Sequence, residues 1–114
     1  MFTKLETRFI GETPTIGVVL EKLRTAVGFD QLIIKETDPN DVEITNPLDE
    51  ADMCDVYCEG SSYFVICWYD DYNYMVAACM YTLRSLGGDH RGWLPEWSSL
   101  SWEEAKPLLN YPLT

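Results

Sequence analysis

Hydrophobic and polar positions along the chain change period several times, and each change marks an element. Residues 2 to 10 alternate, with Leu5, Thr7 and Phe9 on one side and Lys4, Glu6 and Arg8 on the other, which predicts a strand with one wet face. The spacing then lengthens: Ile16, Val19, Leu20, Leu23 and Val27 recur at helical intervals, with Thr13-Pro14 as cap and first-turn pair and Gly28 as the stop. The short apolar run QLIIKE at 31 to 36 returns to a strand, and Asp38-Pro39-Asn40-Asp41 has the composition of a type I turn. Val42 and Ile44 alternate with acids into the next strand. A right-handed crossover through the first helix would make the strands at 2 to 10 and 31 to 36 parallel, with or without another strand between them. The segment from Asn46 to Ala51 reads as the long connection, Asn46-Pro47 opening one helical turn there.

The chain is organised around residues 52 to 86, which hold most of its strongest apolar material. Two runs rich in Val, Ile, Tyr, Phe and Trp flank Gly60-Ser61, the composition of a two-residue hairpin turn. This turn sets Glu59 opposite Ser62, Val56 opposite Val65 and Cys54 opposite Cys67. Strand side chains alternate, so Cys54, Val56, Cys58, Tyr63, Val65, Cys67 and Tyr69 share one face, and Met53, Asp55, Tyr57, Glu59, Phe64, Ile66 and Trp68 share the other. The second strand therefore reads as central and covered on both sides, while the first, with two carboxylates on its second face, reaches solvent. From Asn73 the period becomes helical, with Met75, Cys79, Leu83 and Leu86 on one stripe, until Gly87-Gly88 stops it.

The tail holds Trp93, Trp97 and Trp102, too irregularly spaced for one stripe and expected to lock it onto the sheet against Phe64, Ile66 and Trp68. Ser101 and Glu104 form a capping box around a short helix that Pro107 ends or kinks. If the tail leaves that sheet face bare, Tyr57, Phe64, Ile66 and Trp68 beside Asp55 and Glu59 make an apolar patch with an acidic rim. The expected architecture is α+β: one mostly antiparallel sheet of about five strands, in the order β-α-β-β-β-β-α, with two helices on one face and a Trp-rich C-terminal tail. At 114 residues, 1–114 fits a single domain.

Charge changes this picture. The net charge is -11, and residues 36 to 71 carry eleven acidic groups and no basic one, while the segments on either side nearly balance. Concentrated like charge opposes folding, so a cation-free acidic third points to a partner of opposite sign. Direct contact with nucleic acid is disfavoured, because phosphate binding requires Lys and Arg that this segment lacks. No run approaches the ~20 apolar residues of a membrane span, and the N-terminus lacks the apolar core of a signal peptide, so the expected compartment is the cytoplasm.

Candidate chemistry is sparse. Cys54 and Cys58 lie four residues apart on a strand, roughly 13 Å at strand rise and too far to share a zinc ion. With a single histidine, His90, no zinc spacing remains, and the four cysteines read as small, reduced, buried hydrophobes. The acids around 38 to 43 and 49 to 52 lack calcium-loop spacing and its glycine. Asp89-His90-Arg91 reads as a solvated loop. Adjacent Asp70 and Asp71 fit a helix N-terminus without a catalytic role. No catalytic, metal or cofactor residue is therefore assigned.

The reading that absorbs most of these observations is a non-enzymatic protein that binds and inhibits a basic macromolecule. Complementary charge speeds association, and buried aromatics hold the complex. An immunity protein against a toxin nuclease is of this physical type, as is a phage-encoded inhibitor or DNA mimic. The partner-binding residues are Asp41, Glu43, Asp49, Glu50, Asp52, Asp55, Glu59, Tyr57 and Trp68. Two alternatives remain: a structural subunit that forms a homodimer through the aromatic sheet face, and a small enzyme or small-ligand binder with its cavity between sheet and helices.

Overall fold

The computed structural model describes residues 3–27, 32–38, 41–47, 49–67, 74–92, 94 and 96–108, and of residues 3, 49–52 and 67 the backbone alone. Six strands form one antiparallel sheet: β1 (Thr3–Arg8), β2 (Ile33–Asp38), β3 (Asp41–Asn46), β4 (Asp49–Glu59), β5 (Ser62–Cys67) and β6 (Asp89–Arg91). Their spatial order is β2-β3-β4-β5-β1-β6. The helices are α1 (Ile16–Val27), α2 (Tyr74–Ser85) and the single turn α3 (Trp102–Ala105), with 3-10 turns at Glu96–Ser99 and Lys106–Leu108. The fold is α+β with a single sheet, as the periodicity implies. There are six strands rather than about five because residues 89–91 pair with β1 instead of forming a loop.

The β4–β5 hairpin has the register set by its turn. Glu59 pairs with Ser62 and Val56 with Val65, and Gly60 sits at φ 61°, where only glycine is unstrained. Cys54 and Cys67 continue that register, but the Cys67 side chain lies outside the described residues, as do Trp68, Tyr69, Asp70, Asp71 and Asn73. Both hairpin strands are interior, β4 between β3 and β5 and β5 between β4 and β1.

Between β3 and β4 the acid-rich segment is not a long connection. Asn46 pairs with Asp49 and Thr45 with Met53, so Glu50, Ala51 and Asp52 fall in an irregular stretch of β4. The ladder outweighs the weak strand propensity of the acids there. Strand directions alternate through the sheet, so β1 and β2 do run parallel, with three strands between them. Pro39 and Asn40 lie outside the described residues, and the flanking Asp38 and Asp41 pair.

One face of the sheet is buried. Leu5, Val42, Ile44, Cys54, Val56, Tyr63 and Val65 project from it and are all at most 2% exposed. Helix α2 lies across this face, and α1 packs beside α2. Every residue of α2 from Tyr74 to Leu83 is buried, because the helix has the sheet on one side and α1 and the tail on the others. It ends in a Schellman motif: Gly87 N–H donates to Arg84 O (3.1 Å) and Gly88 N–H to Leu83 O (3.0 Å), with Gly87 at φ 99°. Helix α1 starts two residues later than the Thr13-Pro14 pair implies. Thr15 is its cap, with its carbonyl accepting from Val19 N–H (3.2 Å) and its hydroxyl from Val18 N–H (3.4 Å). Pro14 is used differently, its carbonyl accepting the Tyr63 hydroxyl at 2.6 Å and tying the helix entry to the buried sheet face.

The tail departs furthest from expectation. The capping box is present, with Glu104 N–H donating to Ser101 Oγ (3.2 Å) and Ser101 N–H to the Glu104 carboxylate (3.3 Å). After Ala105 the chain tightens into a 3-10 turn at Pro107. The contacts of Trp97 and Trp102 with described residues are on the helices, however. Trp102 packs on Tyr74 and Tyr81 of α2, with centroids at 5.3 and 5.1 Å, and donates its indole N–H to Ala26 O of α1 (3.0 Å). Trp97 packs on Tyr81 at 5.8 Å. The hydroxyl of Tyr81 and the guanidinium of Arg84 hold the tail there, donating to the carbonyls of Trp97, Ser98 and Leu100. Trp93 lies outside the described residues.

Candidate functional site

With the described tail on the helix layer, the second face of the sheet carries the site. Cross-strand pairing arranges it in rows. One row runs Lys35, Glu43, Asp55, Ile66, Lys4 from β2 to β1. The next runs Asp41, Tyr57, Phe64, Glu6, Arg91 from β3 to β6, and a third runs Glu59, Ser62, Arg8, Asp89. Asp41, Glu43, Asp55 and Glu59 therefore stand together on β3 and β4, with Tyr57 among them. Glu43 and Asp55 are directly opposite, an arrangement that costs stability. Lys4, Arg8 and Arg91 occupy the other half of the same face. Asp49, Glu50 and Asp52 belong to β4, but their side chains, like Trp68, lie outside the described residues.

The centre of the face is aromatic. Tyr57 and Phe64 stack with centroids 5.1 Å apart and planes at 21°. The Lys4 ammonium sits over both rings, 4.5 Å from the Phe64 centroid and 5.1 Å from that of Tyr57. A hydrogen bond to the Tyr57 hydroxyl raises the Lys4 pKa, outweighing desolvation and holding the charge in place. Met53, Phe64 and Ile66 are half-buried here rather than covered, so the two-sided burial expected for β5 is not met. The acidic third is not free of cations in space: the chain brings Lys35 opposite Glu43 and Lys4 beside Tyr57. Among the described residues neither Glu43 nor Glu59 has an ion-pair partner within 4 Å.

Asp41 is held against its own preference. Partial burial raises its carboxyl pKa, and the neighbouring Asp55 and Asp38 charges raise it further, opposed only by a hydrogen bond with Thr37. Its Oδ1 atom is buried with no hydrogen-bond partner among the described residues. Asp38, Asp41, Tyr57 and Cys58 line a depression of about 270 Å³ at this end of the face.

Catalytic ingredients do not converge in the same way. The sulfurs of Cys54 and Cys79 touch at 3.6 Å inside the core, both side chains at most 1% exposed. His90 is half-buried on the edge strand, its Nδ1 2.9 Å from Thr7 Oγ1. Burial and the Arg84 charge lower its pKa, only partly offset by Asp89. Among the described residues no three His, Cys, Asp or Glu side chains gather as metal ligands. No described helix is long and apolar enough to cross a membrane. Compared with models of protein families, with curated proteins and with solved structures, the chain matches none.

Proposed function

We propose that this chain is a non-enzymatic, cytoplasmic binding protein whose open sheet face takes, and blocks, a basic macromolecule, as an immunity protein blocks a toxin nuclease. The observation that carries this reading is the placement of Asp41, Glu43, Asp55 and Glu59 on the β3–β4 side of the half-buried Tyr57–Phe64 stack, on the sheet face that the described helices and tail leave bare. Native sheets are normally covered or polar on their outer face. A half-buried aromatic centre flanked by carboxylates on one side has the arrangement of a protein interface: an apolar core for affinity and a charged rim for steering. Asp41 adds support, since a carboxylate kept where burial and like charge oppose ionisation is a stability cost that function can explain.

A second reading is favoured by the basic half of the same face. Lys4, Arg8 and Arg91 on β1 and β6 could meet the acids of β3 and β4 from a second copy, the self-complementary pattern of a two-fold dimer. The two readings separate in one experiment. Immobilised protein is challenged with lysate of its source cell at low and then moderate salt, and the bound fraction is identified by mass. Retention of one basic protein, released as salt screens the contact and then found to lose nuclease activity when this chain is added, supports inhibition. Recovery of the chain alone, sedimenting as a dimer, supports self-association and removes the inhibitor reading.

A further inference from the structure

A cavity of about 490 Å³ lies where α1, α2 and the tail meet, on the side of the molecule away from the open sheet face. It exists because the tail is held off the helix pair at fixed points. Trp102 is fastened to Ala26 O, the Arg84 guanidinium donates to Ser98 O (2.8 Å) and Leu100 O (3.2 Å), and Tyr81 O–H reaches Leu100 O (2.8 Å). The space left between these ties is walled mainly by carbon, and Tyr81 and Trp102 line it together with Ala26 and Thr25 of α1. Its volume falls within the range of about 300–1,000 Å³ typical of small-molecule sites.

The charge of the lining is opposite to that of the protein. The chain has 19 Asp and Glu against 8 Lys and Arg, yet the described residues that line the cavity include Lys22 and Arg84 and no carboxylate. Two carboxylates close by in the chain have partners of their own. Glu21 pairs with Arg24 at 3.2 Å, and Glu104 accepts from Ser101 N–H in the capping box. Arg84 stacks on Tyr81 at 4.3 Å and spends its hydrogen bonds on neutral carbonyls, so its charge is not cancelled there. Hydroxyls of Thr25, Ser85 and Ser101 complete the rim.

We infer that this cavity binds a small aromatic anion, a planar ring system carrying one carboxylate or sulfonate. The ring lies against Tyr81 and Trp102, the anionic group meets the Lys22 ammonium at the mouth, and Arg84 contributes field from behind the ring. An uncharged aromatic of the same shape gains only the stacking. A dianion or a phosphate chain is not matched, because most of the wall offers it nothing polar. The site is independent of the open sheet face and stands or falls separately from it.

The probe is 1-anilinonaphthalene-8-sulfonate, titrated by fluorescence against the full chain at neutral pH, with N-phenyl-1-naphthylamine as the same ring system without its charge. One saturable site for the sulfonate and clearly weaker binding of the neutral compound are expected. Lys22→Glu should weaken the sulfonate about threefold or more, as reversing an exposed charge at the mouth of a site does. Thr25→Trp, which adds bulk at an exposed helix position beside the cavity, should abolish binding while circular dichroism stays unchanged. Asp55→Lys on the open sheet face should leave it unaltered. The inference is overturned by equal binding of the two probes, by no saturable site, or by binding that survives both Lys22→Glu and Thr25→Trp.

Discussion

Replacing Asp41 by Asn should make the protein more stable and, on the proposed function, a poorer binder. In the native state the Asp41 carboxyl pKa lies above its ordinary 3.8, first because the group is partly buried and then because Asp55 and Asp38 repel its charge. Asp41 pairs with Tyr57 and Glu43 with Asp55, so Asp41 and Asp55 are diagonal neighbours on one face. Such neighbours lie about 7–8 Å apart. Two unit charges at that distance repel by roughly 0.5 kcal/mol in water and about 2 kcal/mol at an effective dielectric near 20. Asp41 keeps some contact with solvent, so the screened end applies, about 0.5–1 kcal/mol, or a Tm increase of about 2–5 °C at neutral pH. The sign follows from linkage. A carboxyl with a raised native pKa favours the native state while protonated, and that contribution is lost as pH rises from 3.8 through the native value. The benefit of Asn should therefore be absent below pH 3.8, grow above it and level off once the native carboxyl is ionised. Urea denaturation of both proteins at pH 3.5, 5 and 7 measures this. A variant that is neutral or destabilised at pH 7, or equally stabilised at all three values, would refute the reasoning.

Other consequences are as specific. A methyl added at Gly88 would collide with the Thr7 methyl and stand 2.9 Å from both Leu83 O and the Phe9 ring, whereas at Gly87 it meets open space and only the positive φ opposes it. Gly88→Ala should cost about 2–3 kcal/mol and Gly87→Ala about 1–2 kcal/mol, with Thr7→Ser partly restoring the former in a double variant; equal costs for the two glycines in thermal melts would contradict this. Ser101→Ala removes the oxygen that accepts from Glu104 N–H and should cost about 1 kcal/mol, read as a lower urea midpoint at unchanged slope. Because burial lowers the His90 pKa, protonation opposes the fold, so stability should rise with pH up to about 6.5, where the unfolded histidine has lost its proton. His90→Gln should flatten that rise, and an unchanged pH profile in the variant would place the slope elsewhere.

What could be read from the residues followed the range of the interaction. The Gly60-Ser61 turn fixes Glu59 opposite Ser62 within four residues, and the Ser101–Glu104 box closes between residues three apart in the chain, so both were legible. The alternation at 2 to 10 also placed Lys4, Glu6 and Arg8 on a wet face. Nothing local says that β1 inserts beside β5, which is what brings those side chains onto the surface that carries Asp55 and Tyr57. Likewise Lys35 comes opposite Glu43 only through the β2–β3 ladder. Residues 89–91 are too few, and too closely flanked by glycine, to show a strand period. Asp49 and Glu50 resemble a loop because acids are poor strand formers. The tail misled for a different reason: tryptophan packs on any apolar surface, and the tail's hold on α2 rests on carbonyls finding Tyr81 and Arg84, which no spacing of tryptophans encodes.

The central claim is that the acids of β3 and β4 recognise a partner. Wild-type protein and the Glu43→Lys, Asp55→Lys, Glu59→Lys variant, shown by circular dichroism to be folded, are compared side by side as baits in lysate of the source cell. One basic protein should be retained by the wild type, released by moderate salt and missing from the variant. The same protein on both baits, or no protein other than the chain itself on either, would contradict it.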